Sequence, residues 1–200
     1  MRDVTDYRLR VRIFVALRPA PEVIEHLATF LEPRRDAAPD TGWRWTPTEQ
    51  WHVTTAFCDD VDDWRVEDLA ERVGDAVARR APLDLRLDGG GAFPHPDGAK
   101  VVWADLAGDR DGLVELAALC RSACSRAGAV VDGDRFRPHL TVARLSRPGQ
   151  VSDWVKLLDG YAGPDWHADE VEVVASHLGE GPRRGARHEV LASLPLDGGS

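Results

Sequence analysis

Two short stretches, Trp51-His52-Val53-Thr54-Thr55-Ala56-Phe57 and Pro138-His139-Leu140-Thr141-Val142-Ala143-Arg144, place the same His-x-Thr pattern in apolar, β-branched runs a little under half the chain apart. A strand alternates its side chains between two faces, so His52 and Thr54 share one face, as do His139 and Thr141. Each pair joins a ring that exchanges a proton near neutral pH to a short, stiff hydroxyl donor. A buried titratable ring must be desolvated and hydrogen-bonded, which makes two matched copies a costly arrangement to keep for packing alone. Brought together, the threonines would hold an anion while one imidazole removes a proton and the other supplies one. The fold must therefore bring two distant strands to one place.

The intervening pattern shows how. Leu9–Leu17 reads as a strand, and Pro21 opens a helix to about Leu31, with Val23, Ile24, Leu27 and Leu31 on its apolar stripe. Pro33–Gly42 reads as a polar loop, and Trp43 and Trp45 are expected to pack beneath the first His-Thr strand. Helical spacing continues over Val66–Arg80, Leu113–Ala127 and Ser152–Leu158, and strands are predicted over Leu83–Leu87, Val101–Leu106, Glu170–Leu178 and His188–Leu194. Gly89-Gly90-Gly91 lacks both the GxxxxGK[ST] order and a following helix, so it reads as a tight bend or bulge rather than a phosphate loop. The order strand, helix, His-Thr strand, helix, strand recurs loosely in the second half. Residues 1–200 are thus expected to form a single bilobed α+β domain, one lobe donating the His-Thr strand near 51–57 and the other that near 138–145. No linker rich in Gly, Pro or Ser divides them.

Composition narrows the function. A net charge of −9 disfavours coating of long nucleic acid but leaves room for a small anionic substrate end in a local pocket. The cysteines Cys58, Cys120 and Cys124 form no CxxC pair and read as structural thiols. No HxH, HExxH or cysteine-bearing pattern supports a metal, so no metal or other cofactor is expected; a zinc site combining His52 and His139 with His177 or His188 is disfavoured for the same reason. His26, His95 and His167 read as surface residues. With no signal-peptide pattern and no apolar run near the roughly 20 residues that span a bilayer, a soluble cytoplasmic protein without membrane contact is expected. No obligate protein partner is evident.

The two motifs, the opening Arg-Ile-Phe-Val-Ala-Leu, the Arg-Pro-His-Leu-Thr-Val-Ala-Arg context of the second motif and Ser176-His177-Leu178-Gly179 before the last strand together resemble the two-histidine phosphoesterases. Within them the likeness is to the RNA 2′,3′-cyclic phosphodiesterase branch, historically called 2′-5′ RNA ligases, over roughly residues 9 to 195. The resemblance implies a bilobed, pseudo-twofold α+β fold with two antiparallel sheets lining a central cleft and helices outside. It implies metal-free hydrolysis of RNA 2′,3′-cyclic phosphate ends to 2′-phosphates, with His52 and His139 catalytic and Thr54 and Thr141 binding the phosphate. His139 is taken as base and His52 as acid, with the reverse left open.

Phe57, Arg144 and His188 are further candidate substrate contacts. A strict period of two puts Phe57 and Arg144 on the face opposite the histidines unless a bulge re-aims them. His188 replaces the family's usual tyrosine, and Arg183, Arg184 and Arg187 are candidates to gather RNA backbone. The alternatives within the fold are ATP-independent 2′-5′ RNA ligation and small cyclic-nucleotide hydrolysis, and outside catalysis, a binding module for RNA ends.

Overall fold

The computed structural model describes residues 10–36, 42–133, 135–181 and 185–198. In chain order these form β1 (Arg10–Leu17), α1 (Pro21–Asp36), β2 (Trp43–Trp45), β3 (Val53–Asp62), α2 (Val66–Val77), β4 (Leu83–Phe93), β5 (Ala99–Gly108), α3 (Arg110–Arg126), β6 (Leu140–Gly149), α4 (Ser152–Asp159), β7 (Ala162–Ala168), β8 (Glu170–Leu178) and β9 (Ala186–Pro195). The α+β class expected from the sequence is found. The two sheets are not: all nine of these strands join one antiparallel sheet, ordered β7-β4-β5-β6-β3-β1-β8-β9, with β2 pairing to β6.

The physical reason two sheets were expected is still visible in the register. Among the described residues the halves are joined by a single residue pair between β3 and β6, Val53 opposite Leu140. Beyond it, β6 has β5 on one side, with Val102 opposite Ala143, and β2 on the other, with Trp45 opposite Ala143. Because β2 occupies that edge, β3 cannot follow β6 beyond the bridge, and its long ladder is with β1 on its other edge. One bridge thus holds two arms that part around a cleft.

Helices cover the outer side of each arm. α2 and α3 pack on each other and on β9 and β3, while α1 and α4 pack on β7 and β4. Their stripes, Val23, Leu27 and Leu31 in α1, Leu69, Val73 and Val77 in α2, and Leu113, Leu116, Cys120 and Cys124 in α3, are fully buried. In β1, Ile13, Val15 and Leu17 enter the main core. Phe14 and Ala16 face the other way and join Val174 and Phe57 in a small apolar cluster under the cleft.

Several local expectations are corrected. α1 runs through Pro33 to Asp36, in the last turn where few backbone bonds remain to lose, and Arg34 Nη1 donates to the Phe30 carbonyl at 2.9 Å. Most of the rest of the loop expected there, residues 37–41, lies outside the described residues. Trp43 and Trp45 stack at 5.1 Å and pack with Trp154 of α4 on the β6 side, not beneath the first His-Thr strand. His167 lies on β7, which the sequence pattern did not show, and bonds Asp84 across the ladder at 2.9 Å. The glycine triplet belongs to β4. The strand bulges between Leu87 and Gly90, Gly89 takes a φ of 79°, and a Cβ on Gly91 would strike the Trp103 ring.

Both His-Thr strands also carry a bulge, at matching positions. Ala16 pairs with Thr54 and Val15 with Ala56, so Thr55 is the extra residue in β3. Trp103 pairs with Thr141 and Val102 with Ala143, so Val142 is the extra residue in β6. An inserted residue reverses the alternation beyond it. Thr55 is buried and its Oγ1 donates to the Val15 carbonyl at 3.0 Å, closing the first bulge. Thr55→Val keeps the shape but removes that bond, and is expected to lower stability by about 1 kcal/mol. A urea denaturation series would show the midpoint falling with an unchanged slope; an unshifted midpoint would mean the bulge does not depend on the hydroxyl.

Candidate active site

The bridge determines what meets at the apex of the cleft. His52 and His139 each stand one residue before a bridge residue, and Thr54 and Thr141 each one residue after. Antiparallel register therefore sets His52 on the side of Thr141 and His139 on the side of Thr54. All four line a cleft of about 710 Å³, together with Arg12, Arg44, Phe57, Arg144 and His188. The strict period of two fails for Phe57 and Arg144, because the bulges at Thr55 and Val142 return both to the cleft face.

Each histidine is fixed in the same way. His52 Nδ1 lies 2.7 Å from the Gln50 carbonyl and His139 Nδ1 lies 2.8 Å from the Arg137 carbonyl, two residues back in each case. A carbonyl only accepts, so Nδ1 carries the proton that donates to it, and Nε2 is left with a lone pair for a ligand. The ring planes are set by aromatic neighbours. His52 stacks on Phe14 at 4.5 Å with His188 edge-on at 5.5 Å, whereas His139 meets Phe93 edge-on at 5.1 Å, near Trp103. The Arg137 guanidinium lies 5.3 Å from the Phe93 ring centre and 4.6 Å from that of Trp103, closing this second cage from behind.

These cages favour neutral rings. Burial pushes the His52 imidazolium down to about 4, and the bond to Gln50 only partly offsets it. His139 is also lowered, mainly by burial; the bond to the Arg137 carbonyl works in the opposite direction, and the Arg144 and Arg137 charges add to the lowering. His188 is lowered by burial and then by the Arg18 charge. At neutral pH both motif histidines are thus proton acceptors at Nε2.

The remaining candidates divide. Arg187 pairs with Glu180 at 2.9 Å and with Glu189 at 3.2 Å, and His177 bonds Glu189 at 3.1 Å, which leaves these side chains engaged with carboxylates at the rim. Arg183 and Arg184 lie outside the described residues. Among the described residues no three His, Cys, Asp or Glu side chains gather closely enough to hold a metal ion, and no helix is long and apolar enough to cross a membrane. Sequence reasoning missed Arg44, although the alternation of Trp43-Arg44-Trp45 already separated it from the two indoles. It also missed Arg12, which pairs with Asp59 and lies 5.5 Å from the Phe57 ring centre.

Comparison with known proteins gives the class. The model of the 2′-5′ RNA ligase superfamily matches residues 19–180, and the chain belongs to that superfamily. Among individual relatives, it is 29% identical over 192 residues to an RNA 2′,3′-cyclic phosphodiesterase of Geobacillus stearothermophilus, covering 94% of this chain and 58% of that one. The protein of the same name from Thermus thermophilus is 28% identical over 195 residues, covering 94% and 91%. A crystal structure of a Thermus thermophilus protein superimposes with a TM-score of 0.74 at 26% identity, covering 94% of this chain and 98% of its own.

The low proton affinity of His52 has a stability consequence. The unfolded chain binds this proton near pH 6.5 and the folded chain only near 4, so the unfolded state gains protons first and stability falls as pH drops between those values. The full difference amounts to roughly 3 kcal/mol. His52→Phe keeps a flat ring against Phe14 without the titration, and its unfolding free energy should fall less from pH 7 to pH 4 than that of the wild type. Parallel curves would show that His52 is not held neutral.

Proposed function

We propose that this protein hydrolyses 2′,3′-cyclic phosphates at RNA ends to 2′-phosphates, by acid–base catalysis between His52 and His139 and without a metal ion. The observation that carries the proposal is the pair of Nδ1-tethered histidines, each beside its threonine, at the apex of one cleft. The names of the Geobacillus and Thermus relatives support the same activity. The chain, 1–200, acts as one bilobed, pseudo-twofold unit, and the buried free thiols fit a cytoplasmic setting.

In this mechanism the cyclic phosphate sits between the rings, with the Thr54 and Thr141 hydroxyls donating to its non-bridging oxygens. One Nε2 takes a proton from water as its oxygen bonds to phosphorus. The P–O3′ bond breaks in line, and the second ring, protonated at Nε2, gives its proton to O3′. The environments favour His52 as base, since it is held neutral most strongly. His139, lowered less strongly than His52, is the acid. This reverses the assignment taken from the sequence.

The test is turnover of an oligoribonucleotide ending in a 2′,3′-cyclic phosphate, in chelator, followed by phosphorus NMR. Conversion to a 2′-phosphate is expected, with His52→Ala and His139→Ala each slower by about 10²–10⁴-fold. Near-wild-type turnover in either variant removes the two-histidine mechanism, and loss of wild-type activity with chelator removes the metal-free claim.

The pH dependence separates the roles. A base must be deprotonated and an acid protonated, so kcat/KM should rise through the His52 value of about 4 and fall through the lowered His139 value, placing the optimum below 6.5. With residual activity measured, His52→Ala should flatten the acidic limb and His139→Ala the alkaline limb. The opposite pattern exchanges the two roles.

A further inference from the structure

We propose that the Arg137 side chain is a positioning residue for His139: its guanidinium, held over Phe93 and Trp103, fixes the backbone carbonyl that aims the ring, so that stacking does at the second histidine what hydrogen bonds do at the first. Its catalytic consequence rests on the phosphodiesterase activity proposed above.

The two tethers are held differently. The Gln50 carbonyl sits in a short helical turn, Thr48–Gln50, where the Gln50 N–H donates to the Pro47 carbonyl at 2.9 Å and the Trp51 N–H to the Thr48 carbonyl at 3.1 Å. Side chains add to this frame: Gln50 Nε2 donates to the Ala186 carbonyl and Arg18 Nη2 to the Glu49 carbonyl, each at 2.9 Å. The Arg137 carbonyl has no such frame. Residues 135–138 belong to no helix or strand, and among the described residues no backbone hydrogen bond holds them. Pro138, next in the chain, has no N–H to donate.

The Arg137 side chain supplies the missing anchor. Its guanidinium lies 4.6 Å from the Trp103 ring centre and 5.3 Å from that of Phe93. Both rings meet His139 edge-on, Phe93 at 5.1 Å and Trp103 at 6.3 Å. The Trp103 ring is itself placed by packing: its buried Nε1 has no hydrogen-bond partner among the described residues, and the ring lies where a Cβ on Gly91 would strike it. A cation over an aromatic face is attracted to it, and a planar guanidinium stacks there as an ammonium does not. One residue therefore holds the imidazole from two directions, by its own carbonyl at Nδ1 and by the walls of the cage. Arg12, Arg44 and Arg144 line the cleft and Arg137 does not. Its cation is placed to hold the ring rather than the substrate.

The test uses the full chain as wild type, Arg137→Gln, Phe93→Leu and the double variant, with folding checked by circular dichroism. Nitrogen NMR of the histidine rings should show His139 protonated mainly at Nδ1 in the wild type, with the share of the other tautomer rising at least about threefold in Arg137→Gln and His52 unchanged. On an oligoribonucleotide ending in a 2′,3′-cyclic phosphate, Arg137→Gln should lower kcat about tenfold and leave KM within about twofold, because a misaimed acid is felt in the transition state and not in binding. Adding Phe93→Leu to Arg137→Gln should lower kcat by less than about twofold more, since both act through one cage. A raised KM with unchanged kcat would make Arg137 a substrate contact and overturn the positioning role, as would additive losses in the double variant or an undisturbed His139 tautomer. The ring measurement keeps the two proposals apart. A tautomer change without wild-type turnover leaves the clamp and removes the activity, whereas wild-type turnover with an undisturbed tautomer in Arg137→Gln does the reverse.

Discussion

The arrangement depends on one backbone contact, the Val53–Leu140 bridge. It is the sole register pair between β3 and β6 among the described residues because β2 takes the edge of β6 that β3 would otherwise follow. A longer ladder would close the arms into a flat sheet and leave no cleft. No bridge at all would leave the histidines on separate elements with nothing fixing their relation. One pair is enough to set the four motif side chains around a common point, and the helices packed behind each arm keep the arms apart.

A similar restraint applies at the next level. Backbone carbonyls of Gln50 and Arg137 fix both tautomers, so no carboxylate is needed to orient either ring. A buried carboxylate partner would stabilise the imidazolium and hold each histidine protonated to higher pH, whereas a carbonyl orients the ring with a smaller effect on its charge. The difference between the two sites comes from what surrounds the tethers: a stacked Phe14 under His52, and an edge-on aromatic cage around His139. A near-symmetric backbone thereby carries two chemically unlike histidines.

Much of this was legible in the sequence, for identifiable reasons. Period-two and helical patterns located β1, β3, β6, β8 and the four helices, and the repeated His-x-Thr located the apex. The failures come from features that local patterns do not encode. A bulge is defined by a partner strand, so the return of Phe57 and Arg144 to the cleft could be stated only as a condition. β7 alternates poorly and is fixed by its pairing to β4. The joining of two lobes into one sheet depends on a single residue pair. Arg44 was passed over because its neighbours are tryptophans, which direct attention to packing, while its place on the cleft wall depends on the β2–β6 register.

The acidic chain and the neutral histidines fit one electrostatic scheme. Without a bound anion, burial holds the rings neutral, and the uncompensated positive charge resides on guanidiniums, which cannot lose it. When a phosphate enters, its charge reverses the balance at the rings, because an anion nearby favours the imidazolium that burial disfavours. In the proposed mechanism the substrate's own charge thus raises the proton affinity of the ring that acts as acid, and His139, lowered less strongly than His52, needs the smaller change. The arginines act on the other side of this balance: too many beside the rings would oppose protonation, and the effect of Arg144 on His139 is of this sign.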